Sequence, residues 1–321
     1  MTLILVRKLF RDIRPALFAV CFLLFAFATL WVKISQLVTS EITPVFNTVA
    51  LFAGDKHLFQ DVIFRGPGKV SEAALGWGSI NFEKPNDFLA MGMLHPIVLS
   101  LFVIWSVGRL SGSIAGELDR GTMELLLSQP IPRNRLILAH FLIDLMVLPM
   151  ICLSFFAGTQ FGLAIVGPFI PNYSALKDVK LPIAIPDNPQ PLEVSGQHEI
   201  FGLINTAAFM FAVGGMTIAL SSYGRSRWKV IGYAIVIVVV MFVVNTVGQL
   251  WPPARFARPL TFFFYYQPQK VMLDRNWFVD LGTSWPGGPK IYAIAVLVAI
   301  GLAGYLIALR IFTRRDLPAP L

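Results

Sequence analysis

The chain has 321 residues, 56% of them hydrophobic and 14% charged, with a mean hydropathy of +0.69, whereas soluble domains carry about 25% charged residues. Apolar runs of about 20 residues recur, so a bilayer is the solvent for much of the chain. The net charge of +8 lies mostly at the ends of those runs, where it sets topology, and it does not argue for a nucleic-acid partner.

Residues 3–14 read as an amphipathic helix lying in the membrane interface. At 100° per residue, Leu5, Val6, Leu9, Phe10 and Ile13 share one face, and Arg7, Lys8, Arg11, Asp12 and Arg14 the other. Such a helix buries one face among acyl chains and leaves its cations at the headgroups. Pro15 suits the first position of a new helix, so the first span is placed at 15–34. The run is too long for a cleaved signal peptide, and no A-x-A-like site follows it. Further spans are expected at 88–108, 136–166, 200–222, 229–250 and 290–312. The third exceeds the length a bilayer needs, so a tilt, a kink at Pro149 or a projection is expected there. Cys21 and Cys152 both fall inside apolar runs, which argues against a disulfide framework and against a Cys-based metal site.

Charge orients these spans. The N-terminus, the 109–135 loop, the 223–229 loop and the C-terminus together carry 14 cations against five acids, while the opposite loops carry 12 of each. By the positive-inside rule both termini are cytoplasmic, and an even number of spans requires the termini to share a side. The outer loops are 35–87, 167–199 and 251–289. The first has turn signals at Gly66-Pro-Gly68 and Gly76-Trp-Gly78, and the second is Pro-rich. The third contains Phe262-Phe-Phe-Tyr-Tyr-Gln-Pro268, an aromatic cluster that suits either the headgroup belt or a segment dipping back toward the membrane.

Four sequence features bear on chemistry. Within the 109–135 loop, Thr122 can cap a helix with Glu124 in its first turn, and Pro130 and Pro132 stop it. Leu125, Leu126 and Leu127 cover too wide an arc to hide on one membrane surface, so some should pack on the protein's own helices and others could fill a partner's groove, the alternative being an interfacial helix packed only on lipid headgroups. His140 and Asp144 lie at i, i+4 in the first half of span three. Intramembrane acids are candidates for a substrate or proton path, or the two side chains pair with each other. Met91 and His95 share a helix face and could offer soft-metal ligands, but methionine is also common packing material. Arg65-Gly-Pro-Gly-Lys-Val-Ser71 is a near miss to a phosphate loop: Ile63 replaces the first glycine, Val70 follows the lysine, and the segment is placed outside.

The stretch Glu117-Leu-Asp-Arg-Gly-Thr-Met-Glu-Leu-Leu-Leu-Ser-Gln-Pro-Ile-Pro-Arg133 resembles the cytoplasmic loop between the second and third spans of ABC-2-type transporter permeases. An amphipathic N-terminal helix, six spans, a short basic loop at 221–227 and the Arg314-Arg-Asp-Leu317 ending are similar too. The resemblance implies an all-α, polytopic membrane domain over 1–321 that forms the permease half of an ATP-driven transporter, an exporter by analogy, in the plasma (inner) membrane. It implies a coupling helix docked in a separate cytoplasmic ABC ATPase through Glu117, Asp119, Arg120, Gly121, Thr122, Glu124, Leu125, Leu126 and Leu127. ATP and Mg would be bound by that partner, with no cofactor or catalytic residue on this chain, and a second permease copy or homologue would complete the path amid membrane lipid. Two other classes stay open: a non-transporting membrane anchor, and an ion-coupled secondary transporter, which should show more intramembrane charge than Asp144.

Overall fold

Long apolar runs satisfy their backbone polar groups internally by coiling, the one economical solution for a segment without water. The computed structural model describes residues 2–45, 48, 84–123, 128, 132–174 and 189–315. Within them, six helices are long and apolar enough to cross a membrane. The turn signals of the first outer loop, the near miss at 65–71, and Glu124, Leu125, Leu126, Leu127 and Pro130 lie outside the described residues.

Helix α1 runs Thr2–Leu37 and continues through a π-helical turn, Val38–Ile42. The break expected at Pro15 is absent: amphipathic stretch and span are one helix of 36 residues, about 54 Å at 1.5 Å per residue. Its predicted apolar face packs on protein. Leu5 and Val6 are buried, and Leu9, Phe10 and Ile13 lie against the same core cluster. Helix α2, Pro85–Met91, passes through a 3-10 turn, Gly92–Leu94, into α3, Pro96–Ser111. Pro96 disfavours helical backbone at the residue before it, and His95 is extended there, its Nδ1 accepting from the Ile97 N–H at 3.3 Å. That cap and the burial of Met91 give both residues of the Met91/His95 pair local packing roles. Among the described residues, no group of three or more His, Cys, Asp or Glu side chains could hold a metal.

After the short α4, Ala115–Asp119, comes α5, Arg133–Val166, which runs unbroken through Pro149. Its 34 residues span about 51 Å, well over the roughly 30 Å of a hydrocarbon core, and no break at Pro149 takes up the excess. Helices α6, Glu199–Tyr223, and α7, Arg227–Leu250, follow. A 3-10 segment, Pro252–Leu260, leads to α8, Phe262–Tyr265, and α9, Pro268–Asp274. Strands β1, Phe278–Asp280, and β2, Lys290–Tyr292, form an antiparallel hairpin with Phe278 opposite Tyr292, and α10, Ala293–Arg314, closes the bundle.

Two helix pairs organise the core, and small residues set both. Helix α1 lies along α5, where a Cβ on Gly158 would sit 2.3 Å from the Phe25 carbonyl, and Thr29 Oγ1 donates to the Gly158 carbonyl at 3.0 Å. Helix α6 lies along α10, where a Cβ on Gly304 would sit 2.2 Å from the Gly215 backbone. In lipid, helices gain most by such close backbone approach. At the other extreme of size, Trp31 of α1 stacks on Phe88 of α2 with ring planes 6° apart, and its indole N–H donates to the Phe88 carbonyl at 3.1 Å.

The aromatic run after α7 is buried from Phe262 to Tyr266, so it is not a lipid-facing belt. The segment runs back along α6. Asn205 holds it at two points: its Nδ2 donates to the Tyr265 carbonyl at 3.0 Å and its Oδ1 accepts from the Gln267 N–H at 2.9 Å. Asn205 lies six residues from the start of α6, about 9 Å down the helix.

Candidate functional site

The termini share one end of the bundle, and the 109–135 loop meets them there. Chain direction places Ser111 at the close of α3, and the peptide groups beyond it lose their intrahelical partners. A side chain of α6 supplies the replacement. Ser221 Oγ accepts from the N–H groups of Ile114 and Ala115 at 3.2 and 3.0 Å and donates to the Ser111 carbonyl at 3.1 Å. Arg227, at the start of α7, donates from Nη2 to the Gly108 carbonyl at 3.0 Å, and its own N–H donates to Asp119 Oδ2 at 3.3 Å. The Arg227 stem passes over Gly112 and Gly116, where any Cβ would lie 3.5 Å from it.

Of the residues expected to couple, the structure places five. Glu117 sits in α4, paired with Arg120 through one carboxylate oxygen and accepting the Thr122 hydroxyl through the other. Asp119 is spent on α7. Gly121 has φ +69° with open space around it, a left-handed position that ends α4 and suits glycine. Helical backbone resumes at 122–123, and the Thr122 hydroxyl reaches back to Glu117.

The end of α10 is tied into the same end. Arg133 Nη1 donates to the Arg315 carbonyl at 2.6 Å, and Arg315 Nη1 donates to the carbonyls of Ser222 and Gly224 at 2.8 and 3.0 Å. Burial lowers the Arg315 pKa, and Arg225 adds repulsion. The 109–135 loop, the α6–α7 turn and the end of α10 therefore form one hydrogen-bonded platform.

Just inside the platform lies a buried charge cluster. Asp144 of α5 forms an ion pair with Arg109 of α3 through Oδ1 and accepts the Tyr305 hydroxyl of α10 through Oδ2. The two charged side chains are only 6% and 3% exposed. Gly214 of α6 lies beside the cluster, and a Cβ there would come within 2.8 Å of the Leu110 side chain of α3. His140 does not pair with Asp144. It meets Arg109 instead, with Nδ1 3.4 Å from Nη1 and its carbonyl 3.4 Å from Nη2. Phe211 stacks on Tyr305 at 5.6 Å and Phe141 meets it edge-on at 5.4 Å, walling the cluster off. Both Asp144 oxygens are engaged by donors, so the arrangement clamps three helices at fixed spacing and holds charge in place.

Sequence reasoning found His140 and Asp144 but counted Arg109 and Arg227 as loop cations that set topology. Tyr305 and Ser221 gave no signal, because a lone hydroxyl in an apolar run is as often packing as function. The usable clue was the buried acid itself: an intramembrane carboxylate needs a cation at its own depth, and Arg109 is the first one up the preceding span.

Six membrane-length helices, with a single short hairpin among the described residues, define an all-α polytopic membrane protein. The chain belongs to the ABC-2 family transporter proteins, whose family model matches residues 6–317. That membership makes it the membrane-spanning component of an ABC transporter. No similar chain was found among curated proteins or among solved structures.

Proposed function

We propose that this chain is an export permease whose platform end faces the cytoplasm and docks a separate ABC ATPase through residues 117–131. The observation that carries the reading is the base of that loop. A loop that only connected two spans would need no such anchorage, yet here Ser221 and Arg227 fix it to α6 and α7. Force applied to the loop would reach both helices without slack. ATP and Mg would belong to the partner, and a second permease copy would complete the path. In this reading Glu117 and Arg120 set register on the ATPase, Leu125, Leu126 and Leu127 fill its groove, and the Arg109–Asp144–Tyr305 clamp keeps the cytoplasmic ends of α3, α5 and α10 moving as a unit. Truncating a packed interface anchor costs about 2 kcal/mol or more.

The test is Leu126→Ala and Glu117→Arg, assayed for ATP-driven substrate movement in proteoliposomes with the co-purified ATPase. Both variants are expected to keep their elution profile and lose most transport per ATP hydrolysed. Undiminished transport by both, with the ATPase still bound, contradicts the docking role. A chain that binds an ATPase but never moves substrate is an anchor.

A further inference from the structure

The 3-10 segment after α7 has a composition at odds with its place. It lies at the end of the bundle opposite the platform, where the charge rule disfavours cations, yet the 251–289 region carries Arg255, Arg258, Lys270 and Arg275 against Asp274 and Asp280. A 3-10 helix has three residues per turn, so side chains at i and i+3 eclipse. Arg255 and Arg258 are therefore stacked on one side of Pro252–Leu260.

Arg258 is held rigidly. Its stem lies over Gly248 of α7, where a Cβ would come within 2.5 Å of Cγ. Its Nε donates to Asn245 Oδ1 at 3.3 Å and its guanidinium sits 5.2 Å from the centroid of the Phe264 ring. Those contacts leave both terminal nitrogens without a protein acceptor among the described residues. Burial pushes the Arg258 pKa down to about 10, with repulsion from Arg255 adding to it. Burial and then Arg258 lower that of Lys270, with Asp274 opposing. Like charges are thus close enough to destabilise one another. Among the described residues, no carboxylate forms an ion pair with any of the three.

Large apolar side chains flank the cations. Trp251, Phe256 and Leu260 are 59%, 62% and 68% exposed. The backbone beneath Phe256 is fixed, because Trp285 Nε1 donates to the Phe256 carbonyl at 2.8 Å. Apolar side chains directed outward beside unpaired cations, at the end of a membrane-length helix, match the two layers of a lipid surface: acyl chain and phosphate.

We propose that Arg255, Arg258 and Lys270 form a binding site for the phosphodiester of an anionic phospholipid in the outer leaflet, with Trp251, Phe256 and Leu260 inserted among its acyl chains. The lipid phosphate supplies the negative charge that the protein omits, and the bilayer is the one anionic surface this position always meets. The site needs neither ATP nor the ATPase, so its test stands apart from the reading of the platform.

The full chain in nanodiscs of equal phosphatidylglycerol and phosphatidylcholine would be released into detergent, and its retained lipid counted by native mass spectrometry. The wild-type chain is expected to retain phosphatidylglycerol in clear excess. Each cation near an anionic surface is worth about fivefold in affinity. Arg255→Gln should thus cut the excess about fivefold, and Arg255→Gln with Lys270→Gln about 25-fold. Arg255 makes no protein hydrogen bond among the described residues, so its loss leaves folding alone. Arg258→Lys should keep the preference, and Arg225→Gln, at the other end of the bundle, should leave it unchanged. Equal retention of the two lipids by the wild type overturns the proposal, as does an unchanged preference in the double variant. So does full displacement of the lipid by millimolar inorganic phosphate, which would mark a site for a free anion.

Discussion

Two buried acids in this chain have opposite surroundings, and the difference fixes the sign of their mutations. Asp144 engages Arg109 and Tyr305 through its two oxygens. Glu199, 1% exposed, accepts from Thr159 Oγ1 at 3.0 Å through one oxygen, and its other oxygen has no partner among the described residues. Removing one member of a buried ion pair leaves an uncompensated charge and costs about 3–5 kcal/mol, whereas replacing both members with apolar groups is often neutral. Asp144→Asn and Arg109→Met should each lower the thermal unfolding midpoint in detergent substantially. Arg109→Met combined with Asp144→Leu should lie closer to wild type than either single change; additive losses would show that the pair contributes nothing as a pair. Glu199→Met should move the other way. Thr159 Oγ1 keeps the Phe155 carbonyl as acceptor at 3.4 Å, and neither a charge nor an unpartnered oxygen remains buried, a gain of about 1 kcal/mol. A destabilised Glu199→Met would mean that the carboxylate is paired with a group other than Thr159.

At the scale of elements, the bundle depends on two glycine-mediated contacts, and crowding either should loosen it. Gly304→Val drives a side chain into the Gly215 backbone and Gly158→Val drives one into Phe25. Overpacking of this kind costs about 1–3 kcal/mol or more. Gly232→Ala on α7 has open space around its Cβ, so helix propensity alone applies and stability should rise by about 0.5–1 kcal/mol. Equal midpoints for the three variants would remove the argument that close approach holds α1 to α5 and α6 to α10. The spans themselves were legible, because an apolar run of membrane length has few alternatives. Their pairing was not: Gly158 and Gly304 look like any other glycine until the facing helix is known. Pro15 misled in the opposite direction. Proline forbids a hydrogen bond at one position only, and a long helix packed on α5 tolerates that loss. The run Phe262–Tyr266 left a headgroup belt and a segment dipping back toward the membrane both open, because composition cannot distinguish aromatic side chains facing lipid from aromatic side chains buried by a polar clamp such as Asn205.

For the whole molecule, the decisive feature is that one serine hydroxyl bridges two peptide groups of a loop and the end of a different helix. Ser221 is fully buried, so water cannot stand in for it. Its loss leaves the Ile114 and Ala115 N–H groups without their acceptor, and a buried unsatisfied donor costs about 1–3 kcal/mol. That cost falls locally, since Arg227 still holds Gly108 and Asp119 and the six spans keep their packing. Ser221→Ala is therefore expected to raise amide hydrogen exchange over residues 113–120 about tenfold or more, with exchange in α5 and α10 unchanged. In the proposed transporter the same change should leave the ATPase bound while lowering transport per ATP hydrolysed, because the loop would move without carrying α6 with it. A global rise in exchange would assign Ser221 to stability alone. Faster local exchange with full coupling would shift force transmission from α6 to Arg227 and α7.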